Sequence, residues 1–97
     1  MLQSAYWGRM PYIPEEQRFT VDGAVNEILK QLDRHAPDSV PGIVNYVFTR
    51  ILKARFCSNY RSFAMGIGVL VTCGLEFYRR WAAPYKDGAI RRNGDVE

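Results

Sequence analysis

Glu76, Arg79 and Arg80 are the residues whose types and spacing most invite chemistry. Glu76 ends an apolar run, and two arginines lie three and four residues beyond it. On a helix that spacing sets a guanidinium beside a carboxylate on one face. The plain outcome is an intrahelical ion pair at the edge of a core. The sharper one is a partly buried pair that binds a polar ligand or fixes the register of an interface. Asn45 and Thr49, four apart and flanked by apolar residues, form a second polar pair. Buried, they would need partners, and the third helix offers Glu76 and Tyr78. Asp95 in Asn93-Gly94-Asp95 adds a carboxylate if that turn is ordered. These six side chains are the candidate binding residues.

Other signatures fall short. His35 is the sole histidine, and no Cys, Asp or Glu stands around it at metal-ligand spacing. A lone histidine without a Ser or Cys partner also argues against triad chemistry. Cys57 and Cys73 form no CxxC pair and lie in apolar helical stretches, which predicts buried, inert thiols in a reducing cytoplasm. Gly66-Ile67-Gly68 lacks the third glycine and the preceding strand of a phosphate loop. No catalytic residue, metal ligand or cofactor is therefore assigned. Arg50, Lys53, Arg55 and Arg61, with Arg91 and Arg92 further on, form a modest basic group. A helix-turn-helix drawn from the second and third helices fails, because the third has almost no polar face with which to read bases.

The elements that must position these groups are helical. Residues 20–35 carry Val21, Ala24, Val25, Ile28, Leu29 and Leu32 at three- and four-residue steps, with Thr20 as the expected N-cap. Residues 41–56 carry a wide apolar face from Ile43 to Phe56, after a loop punctuated by Pro37 and Pro41. Residues 60–83 follow a cap at Ser58 or Asn59 and are apolar nearly all round, which predicts a long, central, buried helix stopped by Pro84. Gly66, Gly68 and Gly74 interrupt it at up to ~1 kcal/mol each against alanine, which suggests close approach of another backbone. They join Tyr12 and Trp81 as candidate interface residues. Residues 1–18, with Pro11 and Pro14 bracketing Tyr12 and Ile13, read as an extended arm. Residues 84–97, with Asp87-Gly88 and Asn93-Gly94-Asp95, read as an irregular tail. The expectation is a single all-α, three-helix domain.

Composition bounds the class. The chain has 97 residues, 47% of them hydrophobic, which suits a folded domain with a small core. Its 13 basic residues against 10 acidic ones give a charge of +3, too mild for a strong nucleic-acid binder. The longest uncharged run, Ser62 to Leu75, falls short of the about 20 apolar residues that span a bilayer. The N-terminus lacks the basic and apolar regions of a secretory signal.

From Met10 onward the chain resembles a family of small uncharacterised bacterial, archaeal and phage proteins, a domain of unknown function. The motifs that carry the resemblance are Met10-Pro11-Tyr12-Ile13-Pro14, Asn45-Tyr46 with Thr49, Ile67-Gly68-Val69-Leu70, Leu75-Glu76-Phe77-Tyr78-Arg79-Arg80, Pro84-Tyr85 and Asn93-Gly94-Asp95-Val96. The resemblance implies no activity. It implies that residues 1–9 are an extension, and it marks one departure, Lys86, where an acidic residue often follows Pro-Tyr.

Together these features predict a non-enzymatic, homo-oligomeric binding or assembly module in the cytoplasm, with no membrane association. A three-helix chain has difficulty covering a helix that is apolar on nearly every side, and a second copy would solve that by two-fold pairing. Two alternatives stand beside it. One is a nucleic-acid-associated regulator, which needs Arg50, Lys53, Arg55, Arg91 and Arg92 on one surface. The other is a small enzyme or ligand binder, which needs Asn45, Glu76, Arg79 and Asp95 in one pocket.

Overall fold

The computed structural model describes residues 12–96. Among them are four α-helical segments, the last two joined by a π turn into one continuous helix, and no strand, so the all-α, three-helix expectation holds. The chain divides into two compact units, Met1–Arg50 and Ile51–Glu97. Residues 1–11 of the expected arm lie outside the described residues.

Helix α1 spans Glu15–Asp33 and begins earlier than the apolar stripe suggested. Pro14 stands at its N-cap, and its carbonyl accepts from the amides of Gln17 and Arg18. Glu15 and Glu16 occupy the first turn, where acidic side chains complement the positive end of the helix dipole. Thr20 is thus an interior residue and no cap, and its hydroxyl donates back to the Gln17 carbonyl at 2.6 Å. The backbone of residues 15–18, assigned to the arm, is helical. Arg18 reaches back through Nε to the Ile13 carbonyl at 2.8 Å.

A 3-10 turn, Pro37–Ser39, leads into α2, Val40–Arg55. Cys57-Ser58-Asn59 then turns the chain into α3, Tyr60–Phe77. Its start is a capping box, as the cap residues predicted. The Ser62 amide donates to Asn59 Oδ1 at 2.9 Å, and the Asn59 amide donates to Ser62 Oγ at 3.0 Å.

Pro84 does not stop this helix. A π turn, Tyr78–Ala82, follows α3 directly and feeds α4, Ala83–Asn93. In a regular α-helix the ring of Pro84 would collide with the carbonyl four residues back, and its missing N–H would leave that carbonyl unpaired. Here the turn is widened immediately before the proline, and the Ala83 amide bonds the Tyr78 carbonyl five residues back. Pro84 then sits in the first turn of α4, where a missing N–H costs least. The predicted irregular tail is therefore mostly helix, and Asp87-Gly88 lies inside it. The second turn signal is real: Gly94 ends α4 at φ 86°, a conformation glycine adopts without strain.

The expected burial of the third helix is not found. Among the described residues no hydrophobic side chain is buried, and Gly66 is the one buried residue. The last turn of α2 covers only one side of α3. Gly66 makes that contact possible: a Cβ there would lie 2.8 Å from Phe56 Cβ and 3.0 Å from Leu52 Cδ2. Ser62, Met65, Val69 and Glu76 are half-buried and share that side by spacing. Phe63, Ile67, Val71 and Leu75 fall opposite and stand exposed, Ile67 and Leu75 at 63% each. Cys57 and Cys73 are likewise exposed and unpaired, which corrects their predicted burial.

Candidate functional site

The polar groups singled out above separate into two settings. In residues 1–50, Thr49 Oγ1 donates to the Asn45 carbonyl at 2.8 Å and lies 3.4 Å from Asn45 Oδ1. This satisfies the threonine within its own helix turn, and both residues are exposed. One residue along, Arg50 Nη1 donates to the Tyr46 hydroxyl at 3.1 Å.

In residues 51–97, Glu76 and Arg79 form the ion pair that the spacing predicted. Arg79 Nε donates to Glu76 Oε1 at 3.0 Å, and Nη2 to Oε2 at 2.7 Å. This fork-on-fork geometry is the stronger form of such a pair. The Glu76 side chain is only 18% exposed and that of Arg79 70% exposed, so the carboxylate sits low on the helix and the arginine covers it.

Aromatic and basic groups surround the π turn. The rings of Phe77 and Trp81 lie 5.7 Å apart between centroids, tilted by 37°. The Arg80 guanidinium lies over the Trp81 ring at 4.8 Å. Lys86 Nζ stands 3.5 Å from the Tyr78 hydroxyl and 5.7 Å from the centre of its ring. These residues are eight apart, and the wide turn between them helps to bring them into line. Further along α4, Arg92 Nη1 and Arg91 Nη2 would lie 3.2 and 3.8 Å from a Cβ on Gly88, so both guanidinium groups gather over that glycine. Asp95 accepts from the Val96 amide at 2.6 Å in a local turn.

An apolar groove of about 440 Å³ runs along the exposed side of α3. Tyr60, Phe63, Ala64, Ile67, Gly68 and Val71 line it, with Thr72 at its end. Around Gly68 there is open space, as there is around Gly74. Thus of the three glycines expected at close approaches, Gly66 makes one within the chain. Tyr12 is exposed at the N-terminal edge of the described residues. No group of three potential metal ligands occurs among the described residues, and no helix there is long and apolar enough to cross a membrane.

The Lys86–Tyr78 contact and the π turn were not foreseen. A helical continuation past Pro84 was needed to see either. The only available signal was that the four residues before the proline, Arg80-Trp81-Ala82-Ala83, contain no helix breaker.

The family model for a domain of unknown function, DUF6899, matches residues 10–96. The chain belongs to this family. The match takes in α1, the capping box, the groove and the π turn in one span. Searches of curated proteins and of solved structures returned no match for this DUF6899 chain.

Proposed function

We propose that this DUF6899 protein is a non-enzymatic assembly module that associates with a second copy of itself through the exposed side of α3. The observation that carries the reading is the two-sided apolar character of that helix. The end of α2 takes one side, through Leu52, Phe56 and Gly66. The other side presents Phe63, Ile67, Val71 and Leu75 to solvent. Full burial of such a side chain stabilises by about 1.5–3 kcal/mol, so four of them at roughly half exposure leave about 3–6 kcal/mol per chain unclaimed. An isolated amphipathic helix gains most of its stability from such burial. Ala64, Gly68 and Thr72 succeed each other on that side in steps of four. Small residues at that spacing let two helix backbones come close. Exposed unpaired thiols at Cys57 and Cys73 fit a reducing compartment, and we place the module in the cytoplasm on that ground.

Gly68→Leu tests the reading. The position has open space within the chain, and leucine is the better helix former, so the single chain tolerates the change. The expected result is a dimer or larger species for the unmodified chain by light scattering, insensitive to salt, and a smaller mass for Gly68→Leu at equal helix content. A wild-type monomer at every concentration, or a Gly68→Leu variant of unchanged mass, would overturn it.

A further inference from the structure

The formal charge of +3 conceals a strong segregation along the chain. Residues 51–97 hold eight of the 13 basic residues and four of the 10 acidic ones. The density peaks around the π turn and α4. Between Phe77 and Gly94 stand Arg79, Arg80, Lys86, Arg91 and Arg92 against Asp87 alone. The same stretch exposes flat aromatic rings, with Phe77 63%, Trp81 54% and Tyr85 72% exposed.

These rings follow one another in steps of four. In a regular α-helix such steps drift by about 40° each. The π turn between Phe77 and Ala83, closed five residues back, turns less per residue and so counters that drift. Phe77 and Trp81 already touch, and Arg80 props the indole from above. The ring is thus held in place before any ligand arrives, which spares part of the ordering cost of binding. At the far end, Arg91 and Arg92 gather their guanidinium groups over Gly88, where the absence of a side chain makes room for them.

We propose that the segment from Phe77 to Arg92 binds single-stranded nucleic acid. Exposed bases stack on the line of aromatic rings, and the phosphates meet Lys86, Arg91 and Arg92. Interleaved aromatic and basic groups are the means by which proteins hold single strands without reading sequence. A duplex fits less well, because its bases are already stacked on one another and leave no open base face for the exposed rings. An anionic membrane also fits less well. Ile90 is the one large aliphatic residue between Phe77 and Arg92, which is too little to insert below the headgroups. The proposal concerns a different stretch of helix from the α3 groove and does not depend on self-association.

The test uses the full chain carrying Trp7→Phe, so that Trp81 is the only indole. Labelled oligothymidine and oligouridine of about 20 nucleotides are titrated at about 50 mM salt and along a salt series. Binding of either strand with quenching of Trp81 emission supports the proposal, and comparing the two reveals any preference for DNA or RNA. Trp81→Ala, read by the oligonucleotide label, is expected to weaken binding about tenfold. The double substitution Arg91→Gln, Arg92→Gln is expected to reduce the salt slope by about 1.4, the single-strand value for two lost phosphate contacts. If Trp81→Ala changes helix content or mass, the double arginine variant decides. No binding at low salt would overturn the proposal. So would equal affinity for duplex or heparin without quenching, a preference for anionic vesicles, or unchanged binding by the arginine variant.

Discussion

The same methyl group, added at two helical glycines, is expected to have opposite effects. Gly23 lies inside α1 with nothing within 4 Å of where a Cβ would stand. Gly23→Ala therefore gains only helix propensity, about 0.8–1 kcal/mol. Gly66→Ala gains the same propensity but drives its Cβ to 2.8 Å from Phe56 Cβ and 3.0 Å from Leu52 Cδ2. Phe56 Cβ is fixed to its backbone and cannot rotate away. Relief requires the end of α2 to slide off α3. Overpacking of this kind costs about 1–3 kcal/mol, which leaves a net loss of up to about 2 kcal/mol after the propensity gain.

The assay is urea denaturation followed by far-ultraviolet circular dichroism, run at two protein concentrations because association contributes to stability. The expected result is a higher midpoint for Gly23→Ala and a lower one for Gly66→Ala, with unchanged slopes. The two free energies should differ by about 1–3 kcal/mol, the overpacking cost itself. If Gly66→Ala stabilises as much as Gly23→Ala, the contact between α2 and α3 is not tight, and the reasoning about which side of α3 is covered fails with it.

Three further outcomes can be checked on the same material. Asn59→Ala removes the side chain that accepts from the Ser62 amide and should cost about 1 kcal/mol in urea melts; a loss within a few tenths would mean that Ser62 alone holds the turn. Glu76→Gln breaks a two-pronged pair whose arginine is largely in solvent, so about 0.5 kcal/mol should be lost in low salt and less in high salt; a salt-independent loss above ~1.5 kcal/mol would instead assign the covered carboxylate a buried role. Pro84→Ala restores an amide that can bond the carbonyl four residues back, and it should raise the midpoint as the π turn relaxes towards α geometry; an unchanged midpoint and unchanged amide exchange at Tyr78–Ala83 would show that the widened turn owes nothing to the proline.

Local chemistry in the sequence foretold local structure well. Asn59 and Ser62 sit three apart before an apolar run, and they close a capping box. Glu76 and Arg79 sit three apart, and they pair. Gly94 follows the last helical residue, and it turns with positive φ. Each feature is decided within a few residues, so spacing suffices. Helix ends that depend on competition were less legible. The reading stopped α3 at Pro84 because it weighed only the lost hydrogen bond and the clash. The chain avoids both by widening the turn before the proline, an option that depends on how the following residues continue to favour helix. At α1, Pro14-Glu15-Glu16 carries a start signal in its charges, but the apolar stripe begins only at Val21.

The burial of α3 is incomplete within one chain, and where it is incomplete directs the next experiments. Apolar content all round a helix requires cover, and the sequence reading assigns the missing part of that cover to a second copy. Gly66 shows where α2 approaches, and the side that carries Phe63, Ile67, Val71 and Leu75 remains in solvent. Periodicity reports that a face needs burial but is silent about which molecule provides it. The residues that do separate the cases are the small ones. Gly66 is required by Phe56 and Leu52 in the same chain, whereas Gly68 has no neighbour among the described residues that needs it to be small. A glycine in mid-helix costs about 1 kcal/mol against alanine, and at Gly68 nothing among the described residues offsets that cost. Under the assembly reading a second copy does, and Gly68→Leu is therefore the substitution that distinguishes a helix covered from outside from one that is merely poorly made.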